Sequence, residues 1–191
     1  MKQLFETIKI ENNQIHNLIW HNQRLNQSRL VLFGEQHPLD LKEFIKLPKK
    51  KGLYRCRVLY DTTIRKVEYI PYQPKSVQRL KIVSSQLDYA HKFDDRLELN
   101  ALSLPSYDDI IIEKNGLLTD TTIANIAFYD GQSWLTPSTP LLQGTTRERL
   151  LSDGFLTRKE IKKEDIKNYS HFALMNAMIG FQVDKSITIT P

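Results

Sequence analysis

The segments Gly116-Leu-Leu-Thr-Asp-Thr-Thr-Ile-Ala-Asn-Ile-Ala-Phe128, Leu135-Thr-Pro137 and Leu142-Gln-Gly-Thr-Thr-Arg147 decide the fold of this chain. The first places an acid on a predicted strand and leads into a hairpin that turns about Asp130-Gly131. The last places a Gly-Thr-Thr turn at the start of a predicted helix, where backbone N–H groups attract anions. An acid and a phosphate-sized anion site on one compact block suit a phosphorylated heterocyclic cofactor.

Length and composition limit the number of domains and the class of protein. The 191 residues are enough for one large domain or two small ones. A composition that is 40% hydrophobic and 26% charged is that of an ordinary globular protein. Part of the net charge of +5 resides in Lys49–Lys51 and in Arg158–Lys167, and the second run interleaves acids as a solvated helix face does. We therefore expect a small anionic substrate as the partner, and no nucleic acid.

Cysteine usage and hydropathy indicate which cofactors and which cellular compartment to expect. Cys56 is the only cysteine, so the sequence predicts neither an intrachain disulfide nor a cysteine zinc site, and we expect no metal. No apolar run approaches the roughly 20 residues of a membrane span. The opening residues Met1-Lys-Gln-Leu-Phe-Glu6 contain no apolar segment of the signal-peptide kind. A cytoplasmic protein without membrane contact is expected.

The first part of the chain is predicted to hold two strands about the Asn12-Asn13 turn, a long helix, a shorter helix and a hairpin. The predicted bounds are Leu4–Ile10, Gln14–His16, Leu18–Gly34, Leu39–Leu47, Leu53–Tyr60 and Arg65–Pro71. Spacings of three, four and seven residues place one set of side chains on a single side of the long helix. The members of this set are Leu18, Ile19, Leu25, Ser28 and Leu32.

Two prolines in Pro71-Tyr-Gln-Pro74 prevent regular pairing and mark a linker. We therefore predict a small N-terminal domain over residues 1–73 and a larger domain over residues 74–191. In the larger domain Ala90–Leu102 and Thr146–Ser152 are predicted helices. The predicted strands there are Leu80–Ser84, Asp109–Glu113, Ile123–Tyr129, Ser133–Thr136 and the end of His171–Phe181. Strands and helices mix without strict alternation, which favours an α+β fold.

Four further segments, taken with the opening block, resemble one enzyme family. They are Phe5-Glu-Thr-Ile-Lys9, His21-Asn-Gln-Arg-Leu25 with Ser28, Tyr89-Ala-His-Lys-Phe-Asp-Asp-Arg-Leu-Glu98 and Ala173-Leu-Met-Asn-Ala-Met-Ile-Gly180. Nearly the whole chain is similar to the class IV aminotransferases, which are pyridoxal-phosphate (PLP) enzymes of fold type IV. The resemblance implies a small N-terminal α/β domain, here shortened at its start, and a larger C-terminal pseudo-barrel domain.

The resemblance also implies which residues hold PLP. Lys92 matches the lysine that forms the Schiff base, while its alternative interpretation is an ordinary surface lysine. Asp120 matches the acid that holds the pyridine nitrogen protonated, although the family usually has Glu at this position. Arg24 matches an arginine that reaches the cofactor phosphate, and a guanidinium suits that dianion.

Phosphate binding is further implied for two turns. Gly144, Thr145 and Thr146 occupy the place of the family's Gly-Ile-Thr-Arg, with Thr145 replacing Ile. A Thr at a helix start is also a plain N-cap, so the tripeptide alone is a weak signal. Asn176 and Ala177 lie in the last family segment, which supplies contacts near the phosphate.

Three places indicate which class IV reaction to expect. Thr7, Asn176-Ala177 and the Lys92–Glu98 segment look more like aminodeoxychorismate lyases than like branched-chain or D-amino-acid aminotransferases. The resemblance then implies conversion of 4-amino-4-deoxychorismate to 4-aminobenzoate and pyruvate, a step toward folate. Lys92 would move the substrate proton, and Thr7 would assist proton transfer to the departing pyruvate carbon.

Several further expectations follow from the predicted lyase reaction and from the family resemblance. Arg55, Arg57 and Lys9 are candidates for binding the two substrate carboxylates, and strand alternation places Arg55 and Arg57 on one face. Class IV enzymes build their sites at a subunit interface, so a homodimer is expected. Two alternatives stay open, because a fold does not guarantee a function. One is an aminotransferase for branched-chain or D-amino acids, and the other is a degenerate homologue that serves as a non-catalytic interaction module.

Overall fold

The computed structural model describes residues 2–191, which divide into two compact units. The first unit comprises residues up to Pro74 together with His91–Asp95, and the second comprises Lys75–Ala90 and Arg96–Pro191. The first unit thus includes a short segment that the sequence-based division assigned to the larger domain. Within residues 2–191, no helix is long and apolar enough to cross a membrane.

A four-stranded antiparallel sheet in the order β2-β1-β3-β4 forms the centre of the first unit. Its strands are β1 (Leu4–Glu11), β2 (Gln14–Ile15), β3 (Leu53–Tyr60) and β4 (Ile64–Pro71). The hairpin between β1 and β2 turns at Asn12 and Asn13, both of which have positive φ angles, as the predicted Asn-Asn turn requires. The strands and both hairpins predicted for this part of the chain are confirmed.

The helix α1 (Leu18–Phe33) covers one face of this sheet. Gly34 ends it with a left-handed φ of 71°, and its N–H donates to the carbonyl of Leu30, a common way to terminate a helix. Leu25 and Ser28 are buried as predicted. Ile19 is 64% exposed, so its predicted place on the inner side was wrong. Its direct neighbour Leu18 packs against the core instead, and adjacent residues point about 100° apart on a helix.

The two faces of β1 differ in character. Leu4, Glu6, Ile8 and Ile10 alternate onto the covered face, where apolar side chains of β3 and α1 join them in the core. Thr7 and Lys9 lie on the opposite face, and both are only partly buried. The sheet therefore presents one apolar face with a single acid in it and one polar face.

A nine-stranded mixed sheet forms the second unit and forks at β8, which pairs with three other strands. Its strands are β5 (Arg79–Ser84), β6 (Asp109–Lys114), β7 (Leu117–Thr121), β8 (Asn125–Tyr129), β9 (Trp134–Pro137), β10 (Leu156–Lys159), β11 (His171–Asn176), β12 (Gly180–Val183) and β13 (Thr188–Thr190). The helices α2 (Leu97–Ala101) and α3 (Thr145–Ser152) accompany them. Mixed sheets with few helices confirm the predicted α+β class.

The predicted helix over Leu39–Leu47 was wrong, because only a single 3-10 turn forms at Leu41–Glu43. Two asparagines of α1 bind the backbone here. Asn26 exchanges hydrogen bonds with the N–H and the carbonyl of Leu39, and Asn22 accepts from the N–H of Leu41. Of these groups, the carbonyl of Leu39 would be paired inside such a helix, and the side chain of Asn26 binds it instead.

The predicted helix over Ala90–Leu102 was also wrong for most of its length, since α2 begins only at Leu97. The segment before it is irregular and contacts the start of β1. The N–H of Phe5 donates to the carbonyl of Lys92 at 3.0 Å, and Phe93 forms a bridge with Leu4. Pairing with the edge of β1 therefore replaces the local helical preference, and Lys92 lies in a tight turn, in which the N–H of Phe93 donates to the carbonyl of His91 at 2.8 Å.

Candidate active site

Asp120 lies near the end of β7 with 4% of its surface exposed. Its Oδ1 accepts a hydrogen bond of 2.7 Å from the Asn125 side-chain amide. Its Oδ2 accepts one of 2.8 Å from the backbone N–H of Leu142. The backbone N–H of Leu141 also contributes a hydrogen bond, so the donors to this buried acid are neutral amides.

Burial raises the pKa of Asp120 to about 7, while hydrogen bonds from Leu142 and Asn125 and the charge of Arg147 act against the rise. A raised pKa means that folding favours the protonated acid. We therefore expect this group to reduce stability as the pH rises from 3.8 to about 7. A cationic ring N–H that donates to this carboxylate would stabilise the ionised form. The chemistry of Asp120 thus fits the pyridine nitrogen of PLP.

The Gly144-Thr145-Thr146 turn starts α3 as the sequence predicts. Gly144 takes the cap position with extended backbone and offers no side chain to the first N–H groups of the helix. Thr145 and Thr146 follow, 5% and 4% exposed. Backbone donors with adjacent hydroxyls at a helix start form a suitable environment for a phosphate group.

Arg147 is a buried cation in this unit with 1% of its surface exposed. Its guanidinium donates 2.8 Å to the carbonyl of Pro137 at the end of β9 and pairs with Glu148. Burial lowers the pKa of Arg147, but the neighbouring charges of Glu148 and Asp120 oppose that shift. This arginine fastens the first turn of α3 to β9 and places a positive charge whose field reaches Asp120.

Asn176 is largely engaged in local structure. Its Oδ1 accepts from the N–H groups of Met178 and Ile179, and its Nδ2 donates 3.2 Å to the carbonyl of Ile123. Ile123 belongs to the loop between β7 and β8, three residues after Asp120 and two before Asn125. Asn176 therefore braces the loop that follows the acid, and Ala177 beside it is partly buried.

In the first unit, Lys92 lies beside the polar face of the sheet. Its Nζ stands 4.7 Å from the centre of the Phe5 ring. The guanidinium of Arg57 stands 5.0 Å from the centre of the same ring. Phe5 is therefore an aromatic platform for two cations, one of which is the predicted Schiff-base lysine.

The polar face gathers the other residues predicted to act on the substrate. Thr7 pairs directly with Arg57 in the register of β1 and β3, and Lys9 pairs with Arg55. Residues directly opposite in an antiparallel pair project to the same face. Thr7 is thus bordered by three basic side chains, a suitable surface for an anionic substrate.

These basic residues differ in their ion pairs. Arg57 binds both Glu68 and Asp94, the former at 3.0 Å, and Lys9 pairs with Glu11 at 2.9 Å. The Nε of Arg55 is buried and has no hydrogen-bond partner within residues 2–191. Arg55 also forms no ion pair with a carboxylate within residues 2–191, so its charge is not neutralised by this part of the chain.

Arg24 forms a two-point ion pair with Glu6 on the covered face of the same sheet. Its Nε lies 2.9 Å and its Nη2 2.5 Å from the two carboxylate oxygens. His21 contacts the same carboxylate at 2.6 Å through Nδ1. Burial alone would raise the pKa of Glu6, but Arg24 and His21 hold it at about 2. Burial lowers the pKa of His21, which therefore donates to Glu6 as a neutral ring.

The structure divides the predicted site residues between the two units. The first holds Thr7, Lys9, Arg24, Arg55, Arg57 and Lys92, and the second holds Asp120, Gly144, Thr145, Thr146, Asn176 and Ala177. Sequence reasoning did not single out Glu6, Asn125 or Arg147. A signal existed for Glu6, because it alternates with Leu4 and Ile8 on an otherwise apolar strand face.

Comparison with known proteins gives consistent results over most of the chain. Residues 3–187 match the family model described as Amino-transferase class IV. A protein of Haemophilus influenzae described as uncharacterized is 36% identical over 187 residues, which cover 94% of this chain and 100% of that protein. A "putative aminodeoxychorismate lyase" of Schizosaccharomyces pombe is 26% identical over 137 residues, covering 67% of this chain and 59% of that protein.

Two solved structures extend the comparison. One is a "putative 4-amino-4-deoxychorismate lyase" from Haemophilus somnus 129PT, with a TM-score of 0.85 and 36% identity over 94% of this chain and 98% of that one. The other is a hypothetical aminotransferase from Mycobacterium tuberculosis in its PLP-bound form, with a TM-score of 0.77, 16% identity and coverage of 97% and 81%. The predicted fold type agrees with both structures.

Proposed function

Because this chain belongs to the class IV aminotransferase family, whose members depend on PLP, we propose that it is a lyase. Its proposed substrate is 4-amino-4-deoxychorismate, and its products are 4-aminobenzoate and pyruvate. The similarity to the Haemophilus somnus protein supports this choice over amino transfer. Thr7 and the Asn176-Ala177 pair support it independently, since they resemble the lyases.

One observation carries the proposal most strongly. Asp120 is a buried acid whose hydrogen bonds come from neutral amides, and one of those amides is the backbone N–H of Leu142, two residues before Gly144. An acid for a ring nitrogen and a helix start for a phosphate are thus joined in one framework. A phosphorylated pyridine is the ligand class that uses both.

The reaction moves one proton and breaks one carbon–oxygen bond. The ring carbon that carries the amino group loses a proton, the bond to the enolpyruvyl oxygen breaks, and the enolpyruvyl methylene gains a proton to become pyruvate. PLP, when bound, supplies an electron sink that stabilises the electron pair released with the first proton. Asp120 maintains the protonated ring nitrogen on which that stabilisation depends.

Lys92 and Thr7 are the proposed proton carriers. Lys92 takes the proton from the ring carbon, and the hydroxyl of Thr7 assists proton delivery to the methylene carbon. The position of Thr7 supports this role, because it lies on the polar face between Phe5 and Lys9 and directly opposite Arg57. A strand holds such a hydroxyl in a fixed place.

The ion pairs of the basic residues rank the candidates for the substrate carboxylates. Arg55 is first, because, unlike Arg57 and Lys9, it forms no ion pair with a carboxylate within residues 2–191. Arg57 and Lys9 are already paired with carboxylates of this chain, so a substrate must compete for them. We assign one substrate carboxylate to Arg55 and the positive field around it to Lys9 and Arg57.

The decisive experiment measures pyruvate release from 4-amino-4-deoxychorismate by the PLP-loaded protein. We expect stoichiometric pyruvate and 4-aminobenzoate from the wild-type chain. Thr7→Val keeps the side-chain shape and removes the hydroxyl, so it should lower the rate about 10²-fold or more while PLP stays bound. Thr188→Val, a substitution of the same kind on β13, serves as the matched control.

Two other outcomes would replace the proposal. Amino exchange between branched-chain or D-amino acids and 2-oxoglutarate, without pyruvate release, would establish an aminotransferase. A protein that shows no visible absorbance band with added PLP and neither activity would be the non-catalytic homologue that serves as an interaction module.

A further inference from the structure

Asn125 is the first residue of β8 and is only 6% exposed. Its Nδ2 donates to two acceptors, the Oδ1 of Asp120 at 2.7 Å and the carbonyl of Leu142 at 2.8 Å. Leu142 returns a bond of 2.8 Å from its N–H to the other carboxylate oxygen. Three residues thus form a closed hydrogen-bonded ring, with the side-chain amide as the member that bridges strand and turn.

The other side of the Asn125 amide faces the helix start. A Cβ built on Gly144 would lie 1.9 Å from the Oδ1 of Asn125, a separation that no pair of non-bonded atoms adopts. The turn before α3 therefore lies directly on this side chain. The absence of a side chain at Gly144 is explained by the close approach, because its φ of −72° is ordinary for any residue.

We propose that Asn125 is a positioning residue that holds the Asp120 carboxylate and the turn at residues 142–144 in one frame, so that the ring-nitrogen site and the phosphate site form together. The inference deepens the proposed function and rests on it for the identity of the ligand. The geometry itself belongs to the chain without any ligand.

The frame has an electrostatic consequence. Asn125 and Leu142 donate to the ionised form of Asp120, and Arg147 of α3 adds a positive charge, while burial opposes ionisation. Removing the Asn125 amide without admitting water leaves burial in place and removes one donor. The carboxyl should then hold its proton to a higher pH, and the start of α3 should no longer respond to the charge of Asp120.

The test uses the full chain without cofactor, with ¹³C-carboxyl-labelled aspartate and ¹⁵N amides followed by NMR. Asp120→Asn assigns the carboxyl signal. In the wild type we expect a midpoint of about 7, with the Gly144 and Thr145 amides following the same curve. Asn125→Leu, which is isosteric and apolar, should raise the midpoint by about one unit or more, the equivalent of a lost hydrogen bond to a charged group.

Thr136→Val is the matched control, because it removes a fully buried hydrogen bond of 2.8 Å to Ile126 that lies outside the ring. It should leave the Asp120 midpoint unchanged. Asn125→Ser, which is too short to reach both acceptors, replaces Asn125→Leu if that variant does not fold. A midpoint unchanged by either Asn125 substitution, or wild-type amides at 144 and 145 that ignore the titration, would overturn the inference.

A second readout separates this inference from the proposed function. Pyridoxamine 5′-phosphate cannot form a Schiff base, and we expect Asn125→Leu to weaken its binding about tenfold or more relative to Thr136→Val. If the wild type does not bind this compound at all, the proposed function fails, while the NMR titration still decides the role of Asn125. If it binds equally to both variants, Asn125 does not position the ligand sites.

Discussion

Glu6 is a buried carboxylate whose desolvation is unfavourable by itself and is offset by two neighbouring side chains. A carboxylate with no exposed surface would normally stay protonated. Here Arg24 and His21 surround it, and its pKa falls to about 2. The pair also fixes the guanidinium of Arg24, the residue proposed to reach the cofactor phosphate. Glu6 is therefore expected to act on ligand binding through Arg24.

Glu6→Gln should lower the free energy of unfolding by about 3 kcal/mol at neutral pH, the lower end of the range for breaking a buried ion pair. A depressed pKa contributes stability that is present above the ordinary value of 4.5 and is lost as the pH falls toward 2. The difference between the variant and the wild type should therefore shrink across that interval. Denaturant unfolding at several pH values measures it.

The exposed pair of Glu11 with Lys9 provides the control for this prediction. Glu11→Gln on the same strand should leave stability almost unchanged, because solvent screens surface ion pairs. If Glu6→Gln were as mild as Glu11→Gln, the buried pair would not be the stabilising element we infer.

Lys92 is predicted to carry the Schiff base, so borohydride reduction of the PLP-loaded protein should fix a pyridoxyl label on that residue. Lys92→Ala should abolish both the label and the visible absorbance band, since an alanine has no amine to react. Lys81→Ala and Lys114→Ala should retain both. Peptide mapping by mass spectrometry locates the label, and a label on Lys81 or Lys114 would contradict the assignment.

At the scale of elements, α3 depends on the close fit between its cap residue and β8. Gly144 rests on Asn125, and Arg147 reaches back from the first turn to the carbonyl of Pro137. The helix start is thus held from two sides before any ligand binds. A phosphate site built this way requires little rearrangement on binding.

Gly144→Ala should destabilise the protein by about 1–3 kcal/mol, the usual cost of forcing an extra methyl group into a packed site. The same substitution should weaken PLP binding, because the turn must move away from Asn125. In an Asn125→Ala background the cost should fall sharply, since the contact that causes it is gone. Thermal unfolding of the four proteins of this cycle gives the coupling, and simple additivity would show that the contact is unimportant.

The hairpins and most strands were predictable from this sequence, whereas two expected helices were wrong and the strands β10 and β13 were not predicted. Alternating side chains and turn residues such as Asn12-Asn13 gave the hairpins β1–β2 and β3–β4, because those signals are local, whereas the pairing of β1 with β3 was not predicted. The helix expected around Lys92 was replaced by pairing with β1, and the one expected after Leu39 was replaced by contacts from Asn22 and Asn26. Both errors arose because distant partners outweighed local preference.

The identity of the site residues was predictable where a motif contains them. Their pKa values and hydrogen bonds were not, because these depend on neighbours that are distant in the sequence. Asp120 and the turn at Gly144 were found from the sequence and lie together in the second unit. That Asp120 has a pKa near 7, and that one asparagine links it to the turn, depends on burial and on contacts across the sheet. Sequence spacing carries no information about either.

At the scale of the whole molecule, large apolar side chains remain at the surface of both units. Among residues 2–191, Ile19, Val31 and Leu97 are 64%, 58% and 78% exposed. Apolar side chains exposed singly are normal at the surface of a monomer, so the proposal of a homodimer rests on the family resemblance.

The dimer is expected to persist at the concentrations where activity is full. Light scattering coupled to size exclusion should therefore give about twice the 22.4 kDa of one chain. The variant Glu6→Gln, whose defect lies inside one unit, should retain that mass while it remains folded. A monomeric mass for a fully active sample would contradict the proposal.

The chain passes between its two units three times, after Pro74, after Ala90 and after Asp95. Lys92 consequently belongs to the first unit although it is encoded within the stretch that forms the second. A recombination event at a single point in the gene cannot exchange either unit as an intact cassette. A crossover near Pro74 would separate β1 from Phe93 and from the lysine beside it. The two units are therefore bound to be inherited, and to diverge, together.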